Sequence, residues 1–97
     1  MGLHQSFAQT LKLIRKSKQL TQEDFSVVSS RTYLSTLERG LKSPTLDKVQ
    51  ELTDVLGIHP LTLLTMTYMQ LEDTKLPTII EKIRTEIGAI NLQITGY

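Results

Sequence analysis

Apolar residues in this chain recur every three or four positions, in short segments separated by glycine, proline and capping residues. The spacing is regular in residues 7–14, 46–56 and 79–90, and it places each set on one face of an α-helix. No segment alternates apolar and polar residues as a half-buried strand does, and no Asn-Gly or Asp-Gly hairpin turn is present. The pattern therefore predicts an all-α protein with five short helices and an additional C-terminal helix.

Residues that favour helix starts stand just before the apolar segments. Ser and Thr oxygens can accept the unpaired amides of a first helical turn, and proline fits that turn because it lacks an amide hydrogen. The predicted starts are, in chain order, Ser6, Thr21, Ser30, Thr45, Pro60 and Thr78. Gly40 and Gly57 are predicted to end the third and fourth helices. We expect residues 1–66 to form one domain and residues 67–97 to form a helical extension.

The composition argues against several classes of protein. The chain has 97 residues, enough for one modest core but not for a deep substrate cavity as well. It has no cysteine and two isolated histidines, His4 and His59, so we expect neither a metal site nor a cofactor. Without a Gly-rich phosphate loop or a Ser, His and Asp arrangement, we expect no enzymatic activity. No segment approaches the roughly 18 apolar residues of a membrane span and no secretory signal is visible, so we expect a cytoplasmic protein.

Charge is distributed unevenly along the chain. The formal net charge is only +1, a value that by itself argues weakly against nucleic-acid binding. Between Leu11 and Lys42, however, seven basic residues stand against three acidic ones, a balance of +4. Four basic and seven acidic residues follow Lys42, a balance of −3. The basic N-terminal half can face the phosphates of DNA, while the acidic half points elsewhere.

Three segments carry a resemblance to a known family. LIRKSKQLTQEDFS at residues 13–26 looks like that family's first helix and the entry to its second. YLSTLERG at residues 33–40, followed by SPTL at residues 43–46, looks like its recognition helix and the next loop. LTDVLGIHPLTLL at residues 52–64 is similar to its last two helices. Together they resemble the Cro/repressor-like helix-turn-helix family over roughly residues 7–65. The resemblance implies a sequence-specific DNA-binding transcriptional regulator, a repressor that reads a palindromic operator in double-stranded DNA.

The chain departs from the family pattern in one place. Family members have about two more residues between the Gln-Glu start of the second helix and the Glu-Arg-Gly end of the third. The usual turn glycine is also missing, so the bend must be made by Val28, Ser29 and Ser30. We therefore expect a second helix that is cut short or a turn that is unusually tight.

Polar residues of the third helix are the predicted base-reading set. Arg31, Thr32 and Thr36 lie on one side of that helix, away from the apolar pair Leu34 and Leu37. Arginine can donate two hydrogen bonds to guanine, and threonine offers a hydroxyl and a methyl group that suits thymine. The family's base-reading positions map onto the same three residues, with Ser35 as a neighbour. Alternatively, Arg31 binds a phosphate or is simply solvated.

A second set of residues is expected to hold the DNA backbone. The start of the second helix, at Thr21 and Gln22, offers free amides to a phosphate, although the same residues also make an ordinary structural cap. The predicted phosphate-binding residues are Thr21, Gln22, Ser30, Tyr33, Lys42 and Ser43. By resemblance, Arg15 and Glu38 form a structural ion pair between the first helix and the end of the third.

The C-terminal segment carries an apolar stripe made of isoleucines. The stripe comprises Ile79, Ile80, Ile83, Ile87 and Ile90. A core this small can cover only part of it, and an exposed remainder usually marks an interface. We therefore predict a homodimer joined by this stripe, because such proteins read two half-sites related by a two-fold axis. Burial of the stripe against the fifth helix of the same chain is the alternative.

A protein-interaction module is the competing function. The near-neutral charge and the shortened turn favour it slightly, whereas the polar face at Arg31, Thr32 and Thr36 favours DNA. A related alternative is the antitoxin of a toxin-antitoxin pair, which represses its own operon and also binds a protein partner. The additional C-terminal helix is the place where such a partner is expected to bind.

Overall fold

Six helical segments make up the part of the chain that the structure describes. This computed structural model describes residues 1–90. The helices are α1 (Leu3–Ser17), a short 3₁₀ helix (Gln22–Phe25), α2 (Arg31–Glu38), α3 (Leu46–Leu56), α4 (Pro60–Leu71) and α5 (Leu76–Ile90). Residues 1–90 contain no strand. The predicted fold class is therefore confirmed: a five-helix repressor-like arrangement followed by an additional helix. The part of the predicted extension beyond residue 90 lies outside the described residues.

The core lies where the first five segments meet. It is built from the apolar positions that the helical spacing selects: Phe7, Leu11, Ile14, Phe25, Leu34, Leu37, Val49, Leu52, Leu56 and Leu63. Helix α1 packs along α4 on one side and against α2 on the other. The 3₁₀ helix contributes Phe25, which is fully buried. One side of α2 is thus fixed to the core, and its other side is left exposed.

Most predicted helix ends are confirmed by the backbone. The Ser30 hydroxyl accepts the Tyr33 amide at 3.0 Å at the start of α2, and Thr45 accepts the Lys48 amide at 3.1 Å at the start of α3. Pro60 stands in the first turn of α4. Gly57 ends α3 in the left-handed region, with φ at 72°, which is costly for residues that carry a Cβ atom.

The prediction that Ser6 caps the first helix is wrong. Helix α1 begins at Leu3, and Ser6 lies inside it. Its side chain is fully buried, and its hydroxyl donates to the Thr67 carbonyl oxygen of α4 at 2.6 Å. Ser6 is therefore a contact between two packed helices, a role that local spacing does not reveal. Thr78 likewise does not start the last helix, because α5 begins at Leu76 and holds Pro77 in its first turn.

The connection from the 3₁₀ helix to α2 is short and tightly bonded. The 3₁₀ helix has only four residues, so the expectation of a shortened second helix is confirmed. The amides of Val28 and Ser29 both donate to the Phe25 carbonyl oxygen, at 3.0 Å and 2.9 Å. Ser30 then caps α2. The bend that the family makes with glycine is made here by consecutive turns of non-glycine residues.

Helix α5 packs mainly on α4 and leaves most of its apolar face exposed. Ile79 is buried within the chain. The other four isoleucines of the predicted stripe are exposed: Ile80, Ile83, Ile87 and Ile90. The division predicted after residue 66 remains a prediction, and it falls inside α4, which continues to Leu71. None of the helices in residues 1–90 has the length and apolar character needed to cross a membrane.

Candidate nucleic-acid interface

The exposed side of α2 carries the predicted base-reading residues. Arg31 and Thr32 are exposed, and Ser35 and Thr36 are half-buried. At 100° per residue these four positions span an arc of about 140°. The opposite side holds Leu34 and Leu37, which are both fully buried. The core therefore fixes which side of α2 can meet a ligand.

Arg39 extends this polar side and was missed by sequence reasoning. A shallow depression beside α2 is lined by Gln22, Arg31, Thr32, Ser35 and Arg39. Arg39 is exposed, and its Nε atom lies 3.4 Å from the Ser35 carbonyl oxygen. Its position one helical turn after Ser35 was the available sequence signal, because residues four apart share a helix face. Two arginines therefore stand at the two ends of the polar side.

The hydroxyl group of Thr36 is less available to DNA than the sequence suggested, because it already donates a hydrogen bond inside the helix. Its Oγ1 donates to the Thr32 carbonyl oxygen at 2.8 Å. This bond back to the preceding turn is common for threonine inside a helix. The oxygen can still accept a hydrogen bond, since a hydroxyl has one donor and two acceptor positions. The base-reading roles of Arg31, Thr32, Ser35 and Thr36 stay predictions.

The start of the 3₁₀ helix is occupied by its own polar residues. The Thr21 amide donates to Asp24 Oδ2 at 2.7 Å, and the Thr21 hydroxyl donates to the same oxygen at 3.1 Å. The Gln22 side chain is half-buried and donates to Glu38 Oε1 at 3.1 Å. Both predicted phosphate ligands thus have partners inside the protein. Gln22 also joins the start of this helix to the end of α2.

Two of the remaining predicted phosphate ligands, Ser30 and Tyr33, lie at the start of α2, and the other two, Lys42 and Ser43, follow its end. Ser30 and Ser43 are exposed, and the Ser30 oxygen is engaged in the α2 cap. The Tyr33 ring is half-buried, with Lys42 Nζ 5.8 Å and Lys48 Nζ 5.5 Å from its centre. Ammonium groups at this distance are attracted to the electron-rich face of the ring. The structure therefore brings Tyr33 and Lys42 together and adds Lys48, which sequence reasoning did not select.

Arg15 and Glu38 form a bidentate ion pair behind the exposed side of α2. Arg15 Nε donates to Glu38 Oε2 at 2.6 Å and Nη2 donates to Oε1 at 2.9 Å. The third Arg15 bond, from Nη1, goes to the Leu20 carbonyl oxygen at 2.9 Å. The hydrogen bonds to Glu38 raise the pKa of Arg15 above its ordinary value against the opposing effect of burial. The pair connects α1 to the end of α2, as the resemblance implies.

The polar groups of this arrangement are either paired inside the protein or exposed beside α2. Every buried side-chain polar atom within residues 1–90 has a hydrogen-bond partner. Over the same residues, no cluster of three or more His, Asp or Glu side chains could hold a metal ion. The exposed chemistry beside α2 consists of guanidinium, ammonium, hydroxyl and amide groups. These are the groups that proteins use to contact phosphates and base edges.

The chain is similar in sequence to a known protein family and to two curated proteins. The family model described as helix-turn-helix matches residues 11–63. An uncharacterised HTH-type transcriptional regulator, y4dJ of Sinorhizobium fredii, is 43% identical over 56 residues, which are 56% of this chain and 73% of that protein. The control protein C.BamHI of Bacillus amyloliquefaciens is 38% identical over 64 residues, which are 63% of this chain and 79% of that protein. No solved structure gives a significant match.

Proposed function

The chain belongs to the helix-turn-helix family of DNA-binding transcription regulators, and from that premise we propose that it is a cytoplasmic repressor that reads a palindromic operator as a homodimer. One observation carries the proposal. The exposed side of α2 collects Arg31, Thr32, Ser35 and Arg39 around one shallow depression, while its other side is locked into the core by Leu34 and Leu37. A rigidly held helix with this outward chemistry suits the major groove.

Base reading is assigned to the exposed side of α2, from Arg31 at its start to Thr36. Recognition helices present their first residues to base edges, and Arg31 and Thr32 are the first two residues of this one. Arg31 would donate two hydrogen bonds to a guanine, and Thr32 and Thr36 would contact a thymine methyl or a neighbouring acceptor. Ser35 lies between them on the same side. Arg39, at the far end, is placed to contact a phosphate instead.

Backbone contacts are assigned to the residues on either side of α2. Lys42 and Ser43 follow the helix and are exposed, and Tyr33 and Ser30 lie at its start. Thr21 and Gln22 flank it from the 3₁₀ helix. Asp24 already accepts the hydrogen bond of the Thr21 amide. A phosphate bound at the start of the 3₁₀ helix would therefore be contacted by Gln22 and Arg39. These contacts fix the register of the protein on DNA but carry no sequence information.

The exposed side of α5 is assigned to the second protomer. Its apolar residues follow one another at intervals of four, three, four and three: Leu76, Ile80, Ile83, Ile87 and Ile90. This is the spacing of a coiled-coil seam, and these side chains are between 38% and 64% exposed in the single chain. Pairing α5 with its copy would cover them. The resulting two-fold symmetry would present two α2 helices to two half-sites.

The first experiment is a selection of binding sites from random duplex DNA at two salt concentrations, with Arg31→Ala in parallel. We expect the wild-type chain to select a palindromic motif, with an affinity that falls steeply as salt rises. Arg31→Ala should lose the preference at one base pair of each half-site, at a cost of about 1–3 kcal/mol. Repression is then tested with a reporter gene placed behind the selected motif.

Three outcomes would count against this assignment, each against a different part of it. Weak binding without sequence preference, unchanged in Arg31→Ala, would remove the base-reading role of α2 and favour a protein-interaction module or an antitoxin bound to a toxin. A motif without two-fold symmetry would remove the homodimer while leaving the reading helix in place. Activation of the reporter gene would mean that the protein is an activator, which binds DNA through the same surface, and not a repressor.

A further inference from the structure

The turn before α2 is contacted by a residue of α3, which lies outside the helix-turn-helix. Residues 26–29 form the bend, and their amides at Val28 and Ser29 are satisfied by the Phe25 carbonyl oxygen. The Val28 carbonyl oxygen points away from this local pattern and accepts a hydrogen bond from Lys48 Nζ of α3. The bend, which has no glycine, therefore has one hydrogen bond from α3 in addition to its local bonds.

Lys48 reaches both the turn and the helix that follows it. Besides the Val28 carbonyl, its ammonium group pairs with Glu51 Oε1 at 2.8 Å and lies 5.5 Å from the centre of the Tyr33 ring. Its side chain is only 23% exposed. Tyr33 belongs to the first turn of α2, next to Arg31 and Thr32. One side chain of α3 thus links the bend to the base-reading end of α2.

We propose that Lys48 is a positioning residue that sets the tilt of α2, and with it the register of Arg31 and Thr32 on the bases. The inference rests on the proposed function of α2. Its physical basis is a charge-assisted hydrogen bond, which is shorter and about twice as strong as a neutral one. The cation–π contact with Tyr33 acts on the adjacent turn of α2.

A direct phosphate contact is the competing role for any lysine beside a DNA-binding surface. Two of the three ammonium donors of Lys48 are already directed at Val28 and Glu51. Lys42 offers the contrast: it approaches the same ring from an exposed position. We therefore assign the phosphate role to Lys42 and the positioning role to Lys48.

The test compares Lys48→Met, Lys48→Arg and a matched control, Lys75→Met, which removes the same charge from the exposed connection between α4 and α5. Each variant is titrated with the duplex that the wild-type chain selects and with a scrambled duplex of the same length. We expect Lys48→Met to lose about 10-fold or more of the preference for the selected duplex. Binding to the scrambled duplex should change no more than in Lys75→Met. Arginine can donate to the carbonyl and stack on the ring, so Lys48→Arg should restore most of the preference.

Amide hydrogen exchange on the free protein measures the turn itself. Losing the bond from Lys48 should speed exchange of the Val28 and Ser29 amides by about 10- to 100-fold, while amides in the middle of α4 keep their rates. All titrations are made where circular dichroism shows the variant folded. If Lys48→Met does not fold, Glu51→Gln, which removes the ion-pair partner of Lys48, is used in its place. The inference then requires that Glu51→Gln lose part of the preference for the selected duplex and speed amide exchange at Val28 and Ser29.

The outcomes separate this inference from the proposed function. Equal weakening on both duplexes in Lys48→Met, with unchanged turn exchange, would make Lys48 a phosphate ligand and overturn the inference while the proposed function stands. An unchanged preference would also overturn it. If the wild-type chain prefers no duplex, the proposed function fails and the base-reading part of the inference fails with it. The exchange rates then decide separately whether Lys48 holds the turn.

Discussion

Substitution of Glu38 by alanine tests how much the buried ion pair behind α2 stabilises the protein. The Glu38 carboxylate accepts two bonds from Arg15 and one from Gln22, and the two ion-paired side chains are only 10% and 3% exposed. In Glu38→Ala the Arg15 guanidinium keeps only the Leu20 carbonyl oxygen as an acceptor. Removing one partner of a buried pair costs about 3–5 kcal/mol.

That loss is a large part of the stability of such a domain, which is about 5–15 kcal/mol. At about 4–8 °C per kcal/mol, we expect the midpoint of thermal unfolding to fall by more than about 10 °C. The measurement is thermal and urea unfolding followed by circular dichroism at a helical wavelength. Because the Glu38 hydrogen bonds raise the pKa of Arg15, its stabilising charge is lost only at strongly alkaline pH. The arginine therefore adds no pH dependence near neutrality.

Two further variants make the result specific. Glu81→Ala is the matched control, because its pair with Arg84 spans 3.4 Å and both side chains are more than half exposed. It should cost less than about 1 kcal/mol. The double variant Arg15→Met with Glu38→Leu should recover most of the stability, since apolar residues often replace a buried pair at little cost. If Glu38→Ala costs no more than Glu81→Ala, or if the double variant recovers nothing, the reasoning from burial is refuted.

Three other predictions concern the turns, the dimer and the DNA backbone. Gly57→Ala should destabilise the protein by about 1–2 kcal/mol because φ is positive there. Gly40→Ala should lower the stability further, because its new Cβ atom would lie 3.3 Å from a side-chain atom of α1. Equal losses of stability in thermal unfolding would contradict this. Ile83→Glu should convert the proposed dimer to a monomer in sedimentation equilibrium, whereas Thr85→Glu, on the same helix, should not. A dimer in both variants would place the interface elsewhere. Lys42→Ala should weaken binding to all duplexes alike and reduce the salt slope by about one; a loss confined to one base pair would instead make Lys42 a base reader.

Much of the fold was predictable because it depends on local rules. The apolar spacing selected buried residues such as Leu34 and Leu37, and capping rules located Ser30, Thr45 and Gly57 at helix ends. Such features depend on residues within one or two helical turns, so they can be read along the chain. The same rules failed at Ser6, whose hydroxyl found a carbonyl oxygen 61 residues away. A good capping residue can equally serve as a buried donor, and only the neighbouring helix decides between the two roles.

The sequence predicted the candidate base-reading residues of α2 but not the neighbouring residues Arg39 and Lys48. Arg31, Thr32 and Thr36 follow from the periodicity of α2 together with the family resemblance. Arg39 shares their side but was not selected, because it closes the helix rather than opening it. Lys48 has no sequence signal at all, since its partners Val28 and Tyr33 lie 20 and 15 positions away.

The sequence by itself determined the all-α fold class, the helix-turn-helix family and the face of α2 that stays outside the core. Those properties come from helical periodicity and from local motifs. Only the tertiary structure decided that Ser6 binds α4, that Gln22 is tied to Glu38 and that Ile79 is buried while Ile83 is exposed. It also brought Lys48 of α3 to the carbonyl oxygen of Val28 in the bend without glycine. The physical reason is that these contacts join residues far apart in the chain, and their geometry exists only once the helices have packed.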